Sequence, residues 1–235
     1  MKMKGTISDG EGKGKKFISI YEYKKQFIEK LNIRPYPGTL NVRVDEKVIN
    51  DLKRINGIIL NGFSKNGVEY GEVLCFPAKV KNEKCFLLFP EKSKYKNILE
   101  IIAEENLRRK YGMENGEELK ISFLPFIKKC SKLKLYAMPY VGENTSEITI
   151  FYDSPFETGR RDLCYFNERV EQNHYKKTIT ERVVASIIFE RNEKDSYKKL
   201  LEFIEENSYS AMSPVRKIKY SILNEWCIEV KTTQN

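Results

Sequence analysis

Short apolar runs separated by turn residues dominate the first half of the chain. Seven such runs, rich in Val, Ile, Leu and Phe, are typical of strands and lie at residues 17–20, 39–44, 57–63, 71–80, 84–89, 98–102 and 118–123. Helical spacing appears in residues 21–31 and 104–112, and the second of these ends in a glycine suited to a helix C-cap. Many short strands with few helices predict a small β-barrel or sandwich.

The second half has a different pattern. Residues 132–141 and 146–153 alternate like the two strands of a hairpin, and residues 183–190 and 226–231 predict two further strands. Residues 195–208 have the clearest helical pattern in the chain, and Asp195 is placed to cap its first turn. We therefore expect a small α+β domain over residues 124–235, after a barrel domain over residues 1–123.

The positive charge lies mostly in the predicted barrel. The chain of 235 residues has a net charge of +9, with 42 Lys and Arg against 33 Asp and Glu. Residues 1–123 hold 24 basic and 17 acidic residues, a net charge of +7, which leaves +2 for the rest. A basic balance indicates an anionic partner, such as nucleic acid, a membrane surface or a phosphorylated small molecule.

Several classes of protein are disfavoured by composition. No apolar run approaches the roughly 20 residues of a membrane helix, and the polar N-terminus does not resemble a signal peptide, so we expect a cytoplasmic protein without a membrane partner. The five cysteines are scattered and form no CxxC pair, which argues against a disulfide framework or a zinc site. The single histidine, His174, lies in a polar stretch typical of a solvated loop.

Alternating glycines and charged residues mark one segment near the N-terminus as a candidate anion site. Its members are Gly10, Glu11, Gly12, Lys13, Gly14 and Lys15. Backbone N–H groups of such a loop can converge on an anion, and the lysines add positive charge. The spacing matches neither a Walker A loop nor a dinucleotide-binding fingerprint. From spacing alone, a flexible hairpin loop explains the segment equally simply.

A second candidate follows a rigid turn. In the string Arg34-Pro35-Tyr36-Pro37-Gly38, two prolines and a glycine precede a predicted strand. Thr39 and Asn41 then lie two positions apart, so both side chains face one side of that strand. Their oxygens suit a Mg²⁺ ion that keeps most of its water and takes further ligands from phosphates. An ordinary turn that enters a strand is the structural alternative.

Taken together, these strings resemble the archaeal CTP-dependent riboflavin kinase family. The resemblance covers residues 4–123 and rests on the Gly-x-Gly-x-Gly loop, on PYPGTLNV about twenty residues later, and on Ile-Ile-Ala followed by Leu-Arg. It implies a β-barrel of the cradle-loop type. It also implies an enzyme that phosphorylates riboflavin to FMN with CTP as the phosphoryl donor and Mg²⁺ as the cofactor.

The resemblance further assigns site residues. Gly10 to Lys15 would wrap the nucleotide phosphates, and Thr39 and Asn41 would bind Mg²⁺. The cytidine and its ribose would be held by Glu105, Asn106, Leu107 and Arg108. Ser93 and Glu100 would contact the flavin, and Glu100 is the candidate for orienting, or taking a proton from, the riboflavin hydroxyl. Ser93 stands where the family usually has a threonine, and Glu104 replaces a common proline.

The C-terminal half resembles GyrI-like effector-binding domains, over residues 132–233. That resemblance places Glu229 in a ligand pocket, with Trp226, Tyr152 and Tyr220 as its aromatic walls. Aromatic walls around a buried carboxylate suit a cationic aromatic ligand. The helix that these domains usually have in their first half is missing from the pattern here. Alternatively, these aromatic residues form the core of a small domain and bind nothing.

Three functions are compatible with these patterns. We favour a CTP-dependent kinase that acts on riboflavin, with an appended domain that binds an unidentified small molecule or stabilises the protein. A non-catalytic sensor of flavin or nucleotide, coupled to an effector-binding domain, is the second hypothesis. A nucleic-acid-binding protein is the third, but charge alone supports it, because no zinc finger, RRM or helix-turn-helix pattern is present.

Overall fold

The structure, a computed structural model, describes eleven stretches of the chain, which include most of the N-terminal half. The described residues are 2–10, 12, 14–55, 57–130, 133–139, 148–151, 161–165, 175–179, 182–189, 192–220 and 225–234. The chain folds as two units, residues 2–124 and residues 125–235.

The N-terminal unit contains nine strands and four helices within the described residues. In chain order these are β1 (Lys2–Ser8), α1 (Gly14–Ile18), α2 (Tyr21–Leu31), β2 (Leu40–Arg43), α3 (Glu46–Arg54), β3 (Ile58–Leu60), β4 (Phe63–Lys65), β5 (Val68–Tyr70), β6 (Val73–Val80), β7 (Glu83–Pro90), β8 (Ile98–Ala103), α4 (Leu107–Tyr111) and β9 (Glu118–Phe123).

Six of these strands close into an antiparallel barrel. The strands follow one another in the order β6, β7, β8, β2, β1 and β9, and β9 pairs back onto β6. Closure leaves no free edge among the six strands, whereas β3 only extends the sheet beside β6. The barrel predicted from the alternating pattern is therefore confirmed.

The register of β1, β2 and β8 separates apolar from polar positions. Ile7 lies opposite Val42, which lies opposite Leu99, and all three side chains are buried. One position along each strand, the next row faces the other side of the sheet and consists of polar residues. That row is Ser8, Asn41 and Glu100.

Helix α2 covers one side of the barrel wall. Its residues Tyr23, Phe27 and Leu31, spaced by four, are almost fully buried against a cluster that includes Phe86 and Ile102. The Tyr23 hydroxyl donates a hydrogen bond of 2.5 Å to the Gly71 carbonyl, so the buried phenol is satisfied. The helix predicted over residues 21–31 is confirmed, with the same bounds.

Two local predictions for the barrel were wrong or incomplete. Residues 17–20 were expected to form a strand, but Phe17 and Ile18 end α1, and Ile18 packs into the core cluster below α2. A four-residue apolar run is too short for its period to separate strand from helix. Helix α3 was not predicted, although the Asp45 side chain caps it by accepting a hydrogen bond of 2.8 Å from the Lys47 amide.

The C-terminal unit is rich in strands and has one described helix. Its elements are β10 (Phe126–Cys130), β11 (Leu133–Pro139), β12 (Ile148–Phe151), β13 (Arg161–Tyr165), β14 (Tyr175–Ile179), β15 (Arg182–Phe189), α5 (Glu193–Glu206), β16 (Tyr209–Tyr220) and β17 (Glu225–Gln234). The strands form one sheet in the order β10, β15, β17, β16, β12, β13, β11 and β14. The predicted α+β class is confirmed.

Helix α5 packs one apolar face on this sheet. Leu200 and Ile204, four residues apart, are buried against Ala185 of β15 and Ile228 of β17. The helix cap is Asn192, whose side chain accepts a hydrogen bond from the Asp195 amide, so the expectation that Asp195 is the cap was wrong. None of the helices in the described part of the chain is long and apolar enough to cross a bilayer.

The hairpin predicted for residues 132–141 and 146–153 was also wrong. Strands β11 and β12, which lie in these segments, do not pair with each other, because β13 lies between them and pairs with both. Alternation identified the strands correctly, but it carries no information about which strands become neighbours.

Truncation of Phe27 tests how much the packing of α2 stabilises the barrel. Phe27→Ala should lower the free energy of unfolding by about 3–5 kcal/mol, since a fully buried ring leaves a cavity. Urea unfolding followed by circular dichroism measures the change. The control is Ile28→Ala on the neighbouring, exposed position, which should change stability by less than about 1 kcal/mol. Equal effects of the two changes would contradict this account of the core.

Candidate functional site

Two oxygen-bearing side chains stand together at the start of β2. The Thr39 hydroxyl donates a hydrogen bond of 3.3 Å to the Asn41 Oδ1 atom, and both residues are half-buried. Neutral hydroxyl and amide oxygens are hard ligands that fit Mg²⁺ when waters and phosphate oxygens complete its coordination. The described residues contain no cluster of three or more His, Cys, Asp or Glu that would bind a metal ion without such help.

The glycine loop lies directly on this oxygen pair. A Cβ atom at Gly10 would stand 1.7 Å from the Asn41 Nδ2 atom, and one at Gly14 would stand 2.6 Å from the Thr39 Oγ1 atom. Only glycine permits so close an approach. Gly12, between them, has a φ of +72°, which glycine adopts without strain. The loop and the Thr39–Asn41 pair, predicted separately, therefore meet.

The other members of the predicted loop are only partly described. Lys15 lies in α1, where its carbonyl accepts a hydrogen bond of 2.7 Å from the Ser19 hydroxyl, and its side chain is exposed. Glu11 and Lys13 lie outside the described residues. The predicted phosphate contacts of these three residues remain predictions.

A cavity of about 320 Å³ opens beside the glycine loop. It is lined by Gly12, Gly14, Phe17, Thr39, Asn41, Pro90, Lys92, Ser93, Lys94, Tyr95 and Glu100. The lining combines aromatic and apolar walls with oxygen atoms and two lysines, a combination suited to a flat ligand that carries polar groups at one end. Ser93 and Glu100, predicted as flavin contacts, both lie in this cavity.

A second cavity, of about 110 Å³, also has Thr39 in its lining. It is lined by Tyr36, Gly38, Thr39, Leu40, Ile101, Ala103, Glu105, Asn106, Leu107 and Arg108. The four residues predicted to hold the nucleotide base and ribose therefore share one cavity. Thr39 lines both cavities, whereas Asn41 lines only the larger one.

Helix α4 positions the second cavity's polar residues. Asn106 caps the helix, with its Oδ1 atom accepting a hydrogen bond of 3.1 Å from the Arg109 amide, and Gly112 ends it in a left-handed conformation. The Arg108 guanidinium donates a hydrogen bond of 2.6 Å to the Ser8 carbonyl. Glu105 is held by Lys110, whose Nζ atom lies 2.9 Å from its carboxylate. The helix predicted for residues 104–112 is confirmed over a shorter range.

Among the described residues, Glu100 supplies the carboxylate in the larger cavity. It lies on β8 opposite Asn41, and burial raises the pKa of its carboxyl group above the usual value. A carboxylate with a raised pKa is a stronger base than a fully solvated one. Nearby, the Ser93 Oγ atom accepts a hydrogen bond of 3.3 Å from the Tyr95 amide, which fixes the turn that carries both residues.

Sequence reasoning missed the aromatic lining of these cavities. Phe17 lines the larger cavity from α1, in a segment that was predicted to be a strand. Tyr95 and Tyr36 also line the cavities, but they stand in turns, where no periodicity indicates the direction of a side chain. The only available signal was their proximity in sequence to Ser93 and to PYPGTLNV.

In the C-terminal unit, the predicted pocket glutamate is buried among cations. Glu229 is 1% exposed and lies 2.6 Å from the Lys128 Nζ atom, and it also forms an ion pair with Arg216. Trp226 and Tyr220 lie on β17 and β16, but their side chains are outside the described atoms. Tyr152 and His174 lie outside the described residues. Their predicted surroundings, a ligand pocket and a solvated loop, therefore remain predictions.

The charges around Glu229 decide its protonation. Burial by itself raises the pKa of the Glu229 carboxyl, but Lys128 and Arg216 lower it further than burial raises it. The net effect is a pKa well below the usual value of 4.5. Glu229 is therefore ionised at neutral pH, and its charge is compensated by side chains of the protein.

The fold and site define a class of protein: a closed antiparallel barrel in which a glycine loop lies on an oxygen pair that lines a cavity. Residues 7–123 match the model of a family labelled as a CTP-dependent riboflavin kinase and described as "Domain of unknown function DUF120". The chain belongs to this family.

Curated relatives share this half of the chain. A riboflavin kinase of Picrophilus torridus is 41% identical over 124 residues, which are 52% of this chain and 56% of that protein. One of Thermoplasma acidophilum is 37% identical over 120 residues, covering 50% and 54% of the two chains. One of Ignicoccus hospitalis is 37% identical over 123 residues, covering 51% and 69%. The chain thus spans little more than half the length of the first two relatives.

Solved structures add no argument about function. The crystal structure of the EcmrR C-terminal domain is similar over 48% of this chain and 98% of that domain, with 12% identity and a TM-score of 0.38. A similarity of this size supports no conclusion about fold or ligand. The resemblance of residues 132–233 to GyrI-like domains therefore remains a prediction.

The contact between the glycine loop and Asn41 is testable without any ligand. Gly10→Ala should displace the Asn41 amide and destabilise the protein by about 1–3 kcal/mol, because the new Cβ overlaps that amide. The side-chain amide signal of Asn41 in an NMR spectrum, together with urea unfolding, measures both effects. Gly12→Ala is the matched control. Among the described residues, no atom lies within 4 Å of the Cβ that this change adds, and the cost to alanine is the φ of +72°. An unmoved Asn41 signal in Gly10→Ala would refute the contact.

The buried ion pairs of Glu229 predict a dependence of stability on pH. Because the folded state lowers this pKa, the stabilisation is complete above the usual value of 4.5 and is lost as pH falls towards about 2. Glu229→Gln should cost about 3–5 kcal/mol at neutral pH and flatten that acid dependence, since it leaves buried cations uncompensated. Glu202→Gln, in an exposed pair with Lys198, is the control and should change stability by less than about 1 kcal/mol. Circular dichroism measures unfolding at each pH. If stability fell equally with pH in Glu229→Gln and in wild type, the assignment would be wrong.

Proposed function

We propose that this protein transfers the γ-phosphoryl group of CTP to the 5′-hydroxyl of riboflavin and forms FMN and CDP. One observation carries the proposal: Thr39 lines both cavities and lies against Gly14 of the glycine loop. A phosphotransferase needs its two substrates to meet at a point where negative charge is neutralised. Membership of the family and the riboflavin kinase relatives support the same reaction.

The larger cavity is the proposed riboflavin site. Phe17, Tyr95 and Pro90 offer apolar faces for the isoalloxazine ring, and Ser93 and Glu100 offer polar contacts. The ribityl chain would then extend towards Asn41, which lines the same cavity. This orientation places the hydroxyl that reacts near the oxygen pair.

The smaller cavity is the proposed cytidine site. Asn106 and the α4 backbone supply hydrogen-bonding groups at its wall, and Glu105 is available to a ribose or base. Arg108 adds positive charge next to the end of β1, where the glycine loop begins. A triphosphate that starts here would pass under Gly10 to Lys15 towards the larger cavity, along the half of the chain that carries a net charge of +7.

Thr39 and Asn41 are the proposed Mg²⁺ ligands. Their oxygens are 3.3 Å apart, half-buried and neutral, which fits an ion that also takes phosphate oxygens and water. When bound, Mg²⁺ would neutralise charge on the transferring phosphoryl group. The protein's own part is to hold the two oxygens and to keep the loop backbone close to them.

Glu100 is the proposed acceptor of the proton from the riboflavin 5′-hydroxyl. As the oxygen of that hydroxyl attacks the γ-phosphorus, its bond to hydrogen breaks and the bond from phosphorus to the β-bridging oxygen breaks, which releases CDP. The raised pKa of Glu100 favours its role as a proton acceptor, and its position opposite Asn41 supports that role. Positioning and charge neutralisation supply most of the rate enhancement in phosphoryl transfer.

For the C-terminal unit we propose a stabilising or ligand-binding role, in a protein that works in the cytoplasm. The ion pairs of Glu229 with Lys128 and Arg216 support the stabilising role. A cationic ligand at Glu229, as the GyrI-like resemblance implies, would have to displace one of these side chains.

A kinase assay on wild type and Asn41→Ala tests the proposed reaction. Wild type should form FMN from riboflavin only with Mg²⁺, and faster with CTP than with ATP. Asn41→Ala should lower kcat/KM about a hundredfold, because it removes one electrostatic contact at the transferring group. Asn50→Ala, on the exposed side of α3 and outside both cavities, should retain full activity.

The outcome also separates the enzyme from the sensor. Binding of CDP and FMN in calorimetry without turnover would favour a non-catalytic sensor. If wild type formed no FMN with any nucleoside triphosphate and bound neither compound, both proposals would be lost.

A further inference from the structure

Ser8 is a buried hydroxyl residue that the proposed reaction does not use. It is the last residue of β1, and the glycine loop begins two positions later. Ser8 is 9% exposed, and its Oγ atom is buried and has no hydrogen-bond partner among the described residues. Its backbone carbonyl, by contrast, accepts the hydrogen bond from Arg108. Buried hydroxyl groups without a partner are uncommon, because their desolvation is not offset.

The strand register places this hydroxyl next to Asn41. Ser8 and Asn41 are directly opposite in the antiparallel pair of β1 and β2, so both side chains project from the same face. Cβ atoms of such pairs lie about 4.5–5.5 Å apart, which is within reach of two short polar side chains. Ser8 is therefore directed towards the oxygen pair, across the strand from Asn41.

The amide of Asn41 has a defined direction. Its Oδ1 atom accepts the hydrogen bond from Thr39, whereas its Nδ2 atom points to the side of β1 and the glycine loop. The position of Gly10 shows this: a Cβ atom there would be 1.7 Å from Nδ2 and 3.6 Å from Oδ1. The N–H donors of Asn41 therefore face the strand that carries Ser8.

We propose that Ser8 is a positioning residue, whose Oγ atom accepts a hydrogen bond from Asn41 Nδ2 and holds Asn41 Oδ1 towards a divalent cation. The inference rests on the proposed function, because it concerns the pair that is proposed to bind the metal. Ligands of metal ions are commonly oriented by such outer hydrogen bonds. Glu100 lies on the opposite, β8 side of Asn41, so the carboxylate is not the partner of these donors.

This role has an unusual consequence for stability. In the metal-free protein the hydroxyl is buried and has no partner among the residues that the structure describes, so its removal should not destabilise the fold. In the metal-bound protein the same removal should release the Asn41 amide and weaken the site. A structural hydroxyl would behave in the opposite way, because its removal would lower stability with or without metal.

The experiment compares wild type with Ser8→Ala and Ser8→Thr and uses Mn²⁺ as the probe. Electron paramagnetic resonance of free Mn²⁺, titrated with protein in the presence of CDP, gives the dissociation constant without reference to activity. Ser8→Ala should weaken Mn²⁺ binding roughly tenfold. Its midpoint of thermal unfolding without metal should be no lower than that of wild type. Ser8→Thr keeps the hydroxyl and should restore binding.

Thr6→Ala is the matched control, since Thr6 lies on the same face of β1 but is exposed. It should bind Mn²⁺ as wild type does. Wild-type affinity in Ser8→Ala would overturn the inference and leave the proposed function intact. A lower unfolding midpoint in metal-free Ser8→Ala would overturn it too, in favour of a structural role. If wild type itself bound no Mn²⁺ with CDP, the proposed metal site and this inference would both be wrong.

Discussion

The contact between the glycine loop and the Thr39–Asn41 pair is the constraint on which the rest of the site depends. The backbone of Gly10 and Gly14 lies so close to these side chains that no Cβ atom would fit between them. Two segments separated by more than twenty residues are thereby held together, and Thr39, one member of the pair, lines both cavities. The position of the loop relative to the oxygen pair is therefore set by one close approach of backbone to side chain.

Closure of the barrel makes that approach possible. Strand β2 is placed between β1 and β8, so Asn41 has Ser8 on one side and Glu100 on the other. The apolar row one position along, with Ile7 and Val42, is buried and therefore sets the register of all three strands. A slip of one residue would turn the polar row inward, so packing of the core also fixes the geometry of the site.

Many of the barrel strands and the two parts of the candidate site were predicted from the sequence, and the wrong predictions have identifiable physical causes. Alternation of apolar and polar residues predicted the barrel strands. The spacing of the glycines predicted the loop, and the two-residue spacing of Thr39 and Asn41 predicted that their side chains share one face of a strand. Alternation did not predict α1, because the run that ends in Phe17 and Ile18 is too short to show a helical period. It also gave no partner for any strand, as the wrong hairpin of β11 and β12 shows. Pairing depends on contacts between distant residues, which local patterns do not contain.

Two buried polar groups lead to opposite conclusions in the two units. Glu229 is surrounded by Lys128 and Arg216, so its charge is compensated within the protein, as expected of a group that stabilises a fold. The Ser8 hydroxyl has no partner in the described part of the chain, although Ser8 lies opposite Asn41, a candidate metal ligand. A buried polar group without a hydrogen-bond partner is unfavourable for folding, and such groups are expected at binding sites. The Ser8 hydroxyl, and not the charged Glu229 carboxylate, is therefore the better indicator of a binding site in this comparison.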